Sequence, residues 1–434
     1  MAALVGGCKI DPAASERVVP PEETLAHAAC IARAKGVTRL ADITGLDKLG
    51  IPVHSAIVPR SDDRLSVYNG KGASALESRV SALMEAIERQ TALYADIPVR
   101  FASHSDLGAS GSPVCNPEAF NHALKDDYSD AKAYEWVQGH DLIGDEDVLV
   151  PAGLVLYGPH VADDGSPYQL NSTNGLASGN CMAEAICHGL CELLERDAWT
   201  MAELASKWIP RARRERMFGD AAGAYEIDNP DICPRIDLSD ADPSITCLAD
   251  RFANAGLQLV VRDITGEFGI ASAIASVAED SIPGFPQAHA GMGAHPNARI
   301  AVTRAVTELA QSRAVDIQGV REDLTGADEV VSAPNRRLQR AQSIDSHFWM
   351  LNESGKTRSY HEIPCIENQH VEDDIDLILA RLKAGGIKRA IVVNLSERGG
   401  HFSVVRVLVP GLEFWALDEG RLGPRAVRFW RDHV

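Results

Sequence analysis

Basic residues are scarce in this chain of 434 residues: 42 Lys and Arg stand against 61 Asp and Glu, a net charge of -19. So acidic a surface excludes non-specific binding to nucleic acid or anionic membranes, which needs a positive field. Long apolar runs are missing too, and stretches such as Phe268–Ala278 are too short to span a bilayer. Met1 to Pro21 lacks a basic region followed by an apolar stretch, so it does not read as a signal peptide. The nine cysteines show no framework spacing, which fits reduced thiols and not a disulfide scaffold. A cytoplasmic setting with no nucleic-acid or membrane partner is expected. No G-x-x-x-x-G-K-[ST] string occurs, so the chain is not a P-loop protein, and the protein-kinase motif set is absent as well.

The chain has ample apolar material for a core, 45% of its residues. Residues 1–19 read as an N-terminal tail. Pro20-Pro21-Glu22-Glu23 opens a helix that runs to Gly36, with proline in the first turn and acids at the positive end of the dipole. Helical periodicity recurs over Ala75–Tyr94, Ala183–Ser206, Asn297–Ala314 and Glu372–Ala384. Strand patterns cover Ile51–Pro59, Leu257–Asp263, Ile270–Val277, Arg389–Leu395 and Val404–Val409. No low-complexity linker divides the chain. The expected fold is α+β, one large domain over 20–434 with mixed or antiparallel sheets, packed helices and an internal pseudo-repeat.

The repeat rests on three passages. Gly70-Lys71-Gly72 precedes a helix with Glu85, Glu88 and Arg89. Gly175-Leu176-Ala177-Ser178-Gly179 precedes one with Glu192, Glu195 and Arg196. Gly291-Met292-Gly293 precedes a third with Glu308, Gln311 and Arg313. Each reads as a Gly-rich turn followed, about four helical turns later, by acidic and basic residues, and E-x-x-E-R occurs in the first two.

Residues three and four apart share a helix face, so Glu85 and Glu88 are neighbours, as are Glu192 and Glu195. Glu184, His188, Glu192 and either Glu195 or Arg196 form one stripe. Stacked like charges destabilise a bare helix by a few tenths of a kcal/mol. The flanking residues, Ala82-Leu83-Met84 and Leu193-Leu194 among them, point to partial burial, and buried acids need partners. Mg2+ bridging carboxylates to phosphate is one such partner, and Arg89, Arg196 and Arg313 would meet remaining phosphate charge. A solvated face of surface ion pairs is the alternative.

Other groups have plainer readings. Lys71 is read first as part of a flexible turn and second as a phosphate clamp. Cys187 and Cys191, with Cys181 and His188 nearby, resemble zinc spacing but fit core packing better. His295 is assigned a structural role, and Trp199 and Trp208 a place in the core. The basic island Lys207, Arg211, Arg213, Arg214 and Arg216 reads as a solvated loop, with an acidic leader peptide or partner as the alternative.

Taken together, Asn69-Gly70-Lys71-Gly72 with Ser81–Arg89, and Asn174–Asn180 running into Glu184, His188, Glu192 and Glu195-Arg196-Asp197, resemble the YcaO family. Gly291–His295 with Thr307–Arg313 and Val405–Glu413 are similar to it as well. Gly36-Val37-Thr38-Arg39 with Asp42–Asp47, and Gly423-Pro424-Arg425-Ala426, look like the branch encoded beside TfuA proteins. The resemblance implies an ATP- and Mg2+-dependent enzyme that phosphorylates a peptide backbone amide oxygen. It implies Glu85, Glu88, Glu192 and Glu195 as Mg2+ ligands, with Glu192, Glu195 and Arg196 at the chemistry. Ser81, Asn174, Glu184, Gln311, Arg313 and Arg406 match nucleotide-contacting positions, and Arg196 does so too. The end, Phe429-Trp430-Arg431-Asp432-His433-Val434, lacks the Pro-rich tail of many azoline-forming members. That favours thioamide formation with a TfuA-like protein, a sulfur donor and a peptide or protein substrate; a homodimer is compatible with the family. The alternatives are an azoline-forming cyclodehydratase of a ribosomal peptide, a non-catalytic peptide-presenting scaffold, and an unrelated carboxylate-activating ligase.

Overall fold

Helix-starting chemistry in the sequence places the main elements. The computed structural model describes residues 6–59, 65–156, 165–168, 172–218, 232–279, 287–319, 349–352, 355–415 and 422–434. Helix α1 (Pro21–Ala34) begins with proline and carries Glu22 and Glu23 in its first turn. Helix α2 (Ala75–Leu93) is entered through a capping box, in which Ser74 and Glu77 satisfy each other's main-chain N–H groups. A short α3 spans His104–Ala109. Helix α4 (Met182–Glu203) continues through a π-helical turn, Leu204–Trp208, into α5 (Ile209–Phe218). Helices α6 (Pro243–Asn254), α7 (Ala298–Gly319), α8 (Val371–Ala384) and α9 (Pro424–His433) follow.

The strands form three sheets. A small antiparallel one holds β1 (Arg39–Asp42), β2 (Val53–Pro59) and β3 (Leu65–Lys71) in order β1-β2-β3. Strands β4 (Val99–Ser103), β5 (Ala133–Asp141), β6 (Glu146–Pro151) and β7 (Leu176–Gly179) belong to the six-stranded sheet. Its remaining members are β13 (Ile391–Asn394) and β14 (Ser403–Leu408); its order is β4-β5-β13-β14-β7, with β6 beside β5. The five-stranded sheet runs β11-β10-β9-β8-β12, from β8 (Arg235–Asp237), β9 (Val260–Asp263), β10 (Ser272–Glu279), β11 (Gln287–Ala294) and β12 (Thr357–Ser359). Its β8–β12 pairing is parallel and the rest antiparallel. The fold is thus mixed α+β in one domain, as expected.

Three strand–helix units, β3–α2, β7–α4 and β11–α7, organise the centre. Here the structure corrects the reading of Gly-rich turns, because those glycines lie in or beside strands. Gly70, Gly179 and Gly291 each let a helix lie close against its strand. A Cβ on Gly70 would fall 2.0 Å from Ala82 N, on Gly179 2.6 Å from Glu184 Cβ, and on Gly291 2.1 Å from Leu309 N. Only Gly175, with φ +82°, also needs the left-handed backbone.

Residues 6–19, read as a tail, are packed. Cys8 bridges His370, Lys9 N–H donates to Gln369 O at 2.9 Å, and the Lys9 ammonium is buried at 2.5 Å from Asp374. The basic island lies on the π-turn and helix α5, not on a loop: Arg213 and Arg216 bond carbonyls of His433 and Val434 at the chain's end. The Arg214 side chain lies outside the described residues. Among the described residues no helix is long and apolar enough to cross a membrane.

Candidate functional site

The two acid pairs converge because the two units that carry them are built alike. Main-chain Asn69 N–H, at the end of β3, donates to Glu85 at 3.2 Å. Gly175 N–H, at the start of β7, donates to Glu192 at 3.1 Å. Strand β7 lies against both α2 and α4, and its Ser178 hydroxyl donates to Glu88 at 3.1 Å. Glu192 and Glu85 in turn raise the proton affinity of Glu88 by repulsion.

Burial dominates the electrostatics. It pushes Glu88 up to about 8, with the Glu192 and Glu85 charges adding and Arg89 opposing. It pushes Glu195 up to about 7, with Glu308 and Glu192 adding and Arg196 and Lys71 opposing. Glu85 is raised for the same first reason. Burial works the same way on Glu308, but the Lys71 and Arg196 cations outweigh it and hold this carboxyl below its ordinary value. The acids are not wholly enclosed: 33% of the Glu85 side chain and 22% of Glu308 remain exposed. Arg89 lies 3.9 Å from Glu85 and 3.8 Å from Glu88, and Arg196 3.5 Å from Glu195. At these separations the two arginines offset the burial of Glu88 and Glu195 only in part.

The remaining predicted residues divide. Ser81 lies one turn before Glu85 on α2, half-buried. Asn174 is buried, and among the described residues neither atom of its side-chain amide has a hydrogen-bond partner, a costly arrangement that a ligand would relieve. Arg406, on β14, donates to Ser172 O and so fixes the loop carrying Asn174. Gln311 Nε2 donates to Asn69 O at 2.5 Å, beside the N–H that holds Glu85. Glu184 is fully buried: it accepts from Asn180 N and Nδ2 at 2.9 Å, from Val18 N at 2.8 Å and from Arg17 at 3.3 Å. It therefore ties the N-terminal segment to the start of α4. Arg313 is not brought to the acids. Its guanidinium grips Asp47 at 2.9 and 3.0 Å and Glu279 at 2.8 Å, joining α7 to the small sheet's loop and to β10.

Cys187, Cys191 and His295 do come together, with one candidate ligand atom from each within 4.8 Å of the others, all buried. The ring decides against a metal. His295 Nδ1 accepts from Asn297 N–H at 2.9 Å, so the neutral imidazole carries its proton on Nε2 and has no lone pair to offer there. Burial lowers its proton affinity to about 3, keeping it neutral. Core packing and a structural histidine describe the group. Sequence reading underrated Lys71 and Glu308, which form an ion pair facing the acids. It named Asp197 and Arg425 separately and did not pair them; Arg425 Nη2 donates to Asp197 at 3.2 Å. The Glu308 signal was present in the repeat; the others depend on contacts between distant segments.

Comparison with known proteins matches this arrangement to one family. A family model described as YcaO cyclodehydratase, ATP- and Mg2+-binding, matches residues 69–413. An "Uncharacterized protein" of Methanothermobacter thermautotrophicus is 36% identical over 414 residues, 94% of this chain and 98% of that protein. An "Uncharacterized protein in tfuA 3'region" of Rhizobium leguminosarum bv. trifolii is 31% identical over 422 residues, 95% and 92% of the two chains. Among solved structures, YcaO from Methanopyrus kandleri bound with AMPPCP and Mg2+ superposes with TM-score 0.67 at 24% identity, covering 94% and 95% of the two chains. A heterocyclase in complex with substrate and cofactor gives 0.76 at 21% identity; it covers 99% of this chain, which spans 57% of that protein's length.

Proposed function

This chain belongs to the YcaO family and shares its ATP- and Mg2+-binding character, and on that premise we propose that it activates a peptide backbone amide with ATP. An amide carbonyl is a poor electrophile whose oxygen would have to leave as hydroxide. Transfer of the γ-phosphoryl group to that oxygen releases ADP and turns it into a phosphate ester. Sulfide then adds at the carbon, phosphate departs with the oxygen, and a thioamide remains.

The observation that carries this reading is the doubled acid pair, Glu85 with Glu88 and Glu192 with Glu195. Each leading acid is anchored by a strand N–H in the same way. Hard oxygen donors in this number suit Mg2+, which would neutralise phosphate charge when bound. Arg196 stands ready to add to that, and the unpartnered Asn174 amide and Ser81 are suited to nucleotide contact. Glu184 and Arg406 set the loops around them, and Gln311 fixes the strand end beside Glu85. Arg313, committed to Asp47 and Glu279, acts here only through the packing of α7. Phosphoryl transfer by this set is positioning and charge neutralisation.

Thioamide formation with a TfuA-like partner is the finer proposal. It is supported by the Rhizobium relative, whose name places it in a tfuA 3′ region. Nine free thiols fit a cytoplasmic setting. To test it, the protein, Mg·ATP, candidate peptide, TfuA-like partner and sulfide are combined, and peptide mass and ADP are followed together. Gain of about 16 Da with ADP release is expected, the mass of sulfur for oxygen; loss of about 18 Da would instead mean azoline formation. No nucleotide-dependent change of any peptide would sink the enzyme reading and leave a peptide-presenting scaffold.

A further inference from the structure

The chain's net charge is -19, yet basic residues gather on two neighbouring helices. The π-turn and α5 carry Lys207, Arg211, Arg213, Arg214 and Arg216 against one acid, Glu215. Helix α9 carries Arg425, Arg428 and Arg431 against Asp432. Far apart in sequence, the two elements pack together: Trp208 and Ile209 share an apolar cluster with Ala426, Phe429 and Trp430. Arg213 and Arg216 donate across the seam to the carbonyls of His433 and Val434. Spaced by three, Arg425, Arg428 and Arg431 form one stripe along α9. Arg425 is committed to Asp197 and Glu267, and Arg211 pairs with Glu215 at 2.9 Å. Arg428 and Arg431 are exposed, and among the described residues neither forms an ion pair. Like charges at this spacing weaken a helix, so the stability of α9 does not account for them. Exposed Val427 and half-buried Phe429 and Trp430 add apolar surface beside the cations.

Resting on the reading of an enzyme that modifies peptides, we propose that this α5–α9 platform docks an acidic segment of the peptide substrate and so brings the amide to the acid cluster. Charge selects the occupant. Carboxylates of an extended peptide match guanidinium groups, and an otherwise acidic surface turns such a peptide away everywhere else. The placement fits as well. Helix α4 carries Glu192 and Glu195 and runs on through the π-turn into α5. The platform therefore stands about 20 Å along that axis from Glu195, at about 1.5 Å per residue. An extended peptide covers this distance in about six residues. The mounting is firm. Asp197, two residues beyond Glu195, takes Arg425 at 2.5 and 3.2 Å. Buried Glu413 accepts from Gly423 N and Ala426 N, at the start of α9, at 2.8 and 2.9 Å. A segment held on α9 is thus held at a set distance from the acids of α4.

Fluorescein-labelled octaglutamate is the probe, read by anisotropy on the full chain at low salt. Wild type should bind it, and Arg428→Glu with Arg431→Glu should weaken binding by about tenfold or more. Lys388→Glu with Arg398→Glu makes the same charge change at exposed cations of other elements and should stay within about threefold. Failure of wild type to bind overturns the proposal, as does an equal loss in both double variants, which would mark a general effect of charge. Sedimentation covers the other occupant: a wild-type dimer that the Arg428→Glu, Arg431→Glu chain loses and the probe does not disperse would give the platform to a second copy and overturn the proposal. Reach is tested with a benzophenone residue about six residues from the acidic stretch, on either side of it. It should crosslink to α2 or α4 at the acid cluster; crosslinks confined to α5 and α9, or scattered over the surface, would overturn the substrate role. Calorimetry with AMPPCP and Mg2+ keeps the two readings apart. A chain that binds the probe in the expected way but no nucleotide removes the ATP reading and leaves the docking face standing. Nucleotide binding without probe binding removes only this proposal.

Discussion

Crowding four carboxylates between α2 and α4 has a consequence at individual residues that pH exposes. Glu88 and Glu195, raised from 4.5 to about 8 and about 7, hold protons that the unfolded chain releases near 4.5. The cation-free fold therefore binds more protons than the unfolded chain across that window, and its stability declines as pH rises through it. A divalent cation needs the carboxylates ionised, so its binding displaces those protons and is favoured at higher pH. The melting shift produced by Mg·AMPPCP should be larger at about pH 8.5 than at about pH 6, with proton release seen by calorimetry in two buffers. Equal shifts at both values would refute this. Glu192→Gln belongs to the same scale. It removes one ligand charge at a position whose main-chain anchor, Gly175 N–H, an amide oxygen can still accept. ADP formation should fall by about a hundredfold or more while the melting temperature changes little, as expected when an interaction serves the chemistry and not the fold. Wild-type turnover would remove Glu192 from the metal set.

At the scale of elements, glycine decides how closely helix and strand approach. Gly291→Ala would place its Cβ 2.1 Å from Leu309 N and 2.4 Å from Ala305 O, both backbone atoms that cannot swing aside. Overpacking of this kind costs about 1–3 kcal/mol, or more where backbone must move, and the shift would carry Glu308 away from Lys71. Gly108, in α3, meets nothing within 4 Å, so Gly108→Ala should be neutral or stabilise by about 0.5–1 kcal/mol. Urea titration of the two variants makes the comparison; equal effects would refute it. These glycines also mark the limit of legibility. The helices were readable, since apolar spacing and caps such as Ser74 with Glu77 are local. Strand β11, Gln287–Ala294, was not: Ala-His-Ala-Gly-Met-Gly has no β-branched residue, and its small side chains answer to α7, several turns further along the chain. The acid pairs were readable because i,i+3 spacing is fixed by the helix. The fate of Arg313 was not, since its partner Asp47 is distant in sequence.

The whole molecule is closed by charges that sit far inside it, although most of its excess acid is spread over the surface. Glu16, only 2% exposed, meets Arg304, His188 at 3.5 Å and His295 at 3.5 Å, with Arg17 at 3.2 Å. Burial acts to raise its proton affinity, yet Arg304 and Arg17 prevail and hold the carboxyl well below its ordinary value. Stability from this group is therefore present above about pH 4.5 and lost as pH falls toward its depressed folded value. Through Glu16 and Lys9 the N-terminal segment joins α4, α7 and α8, three elements that sequence periodicity shows separately. Truncating Glu16 leaves Arg304 without its nearest acid in a buried place, which costs about 3–5 kcal/mol. Glu22, exposed in the first turn of α1, should cost no more than about 0.5 kcal/mol on the same change to alanine. The difference between Glu16→Ala and Glu22→Ala in denaturant midpoint, at unchanged slope, measures how far residues 6–19 belong to the folded unit. A Glu16→Ala chain as stable as Glu22→Ala would return that segment to the status of a tail. It would also mean that the Arg304–His188 face beside the acid stripe of α4 holds its shape without the N-terminal segment.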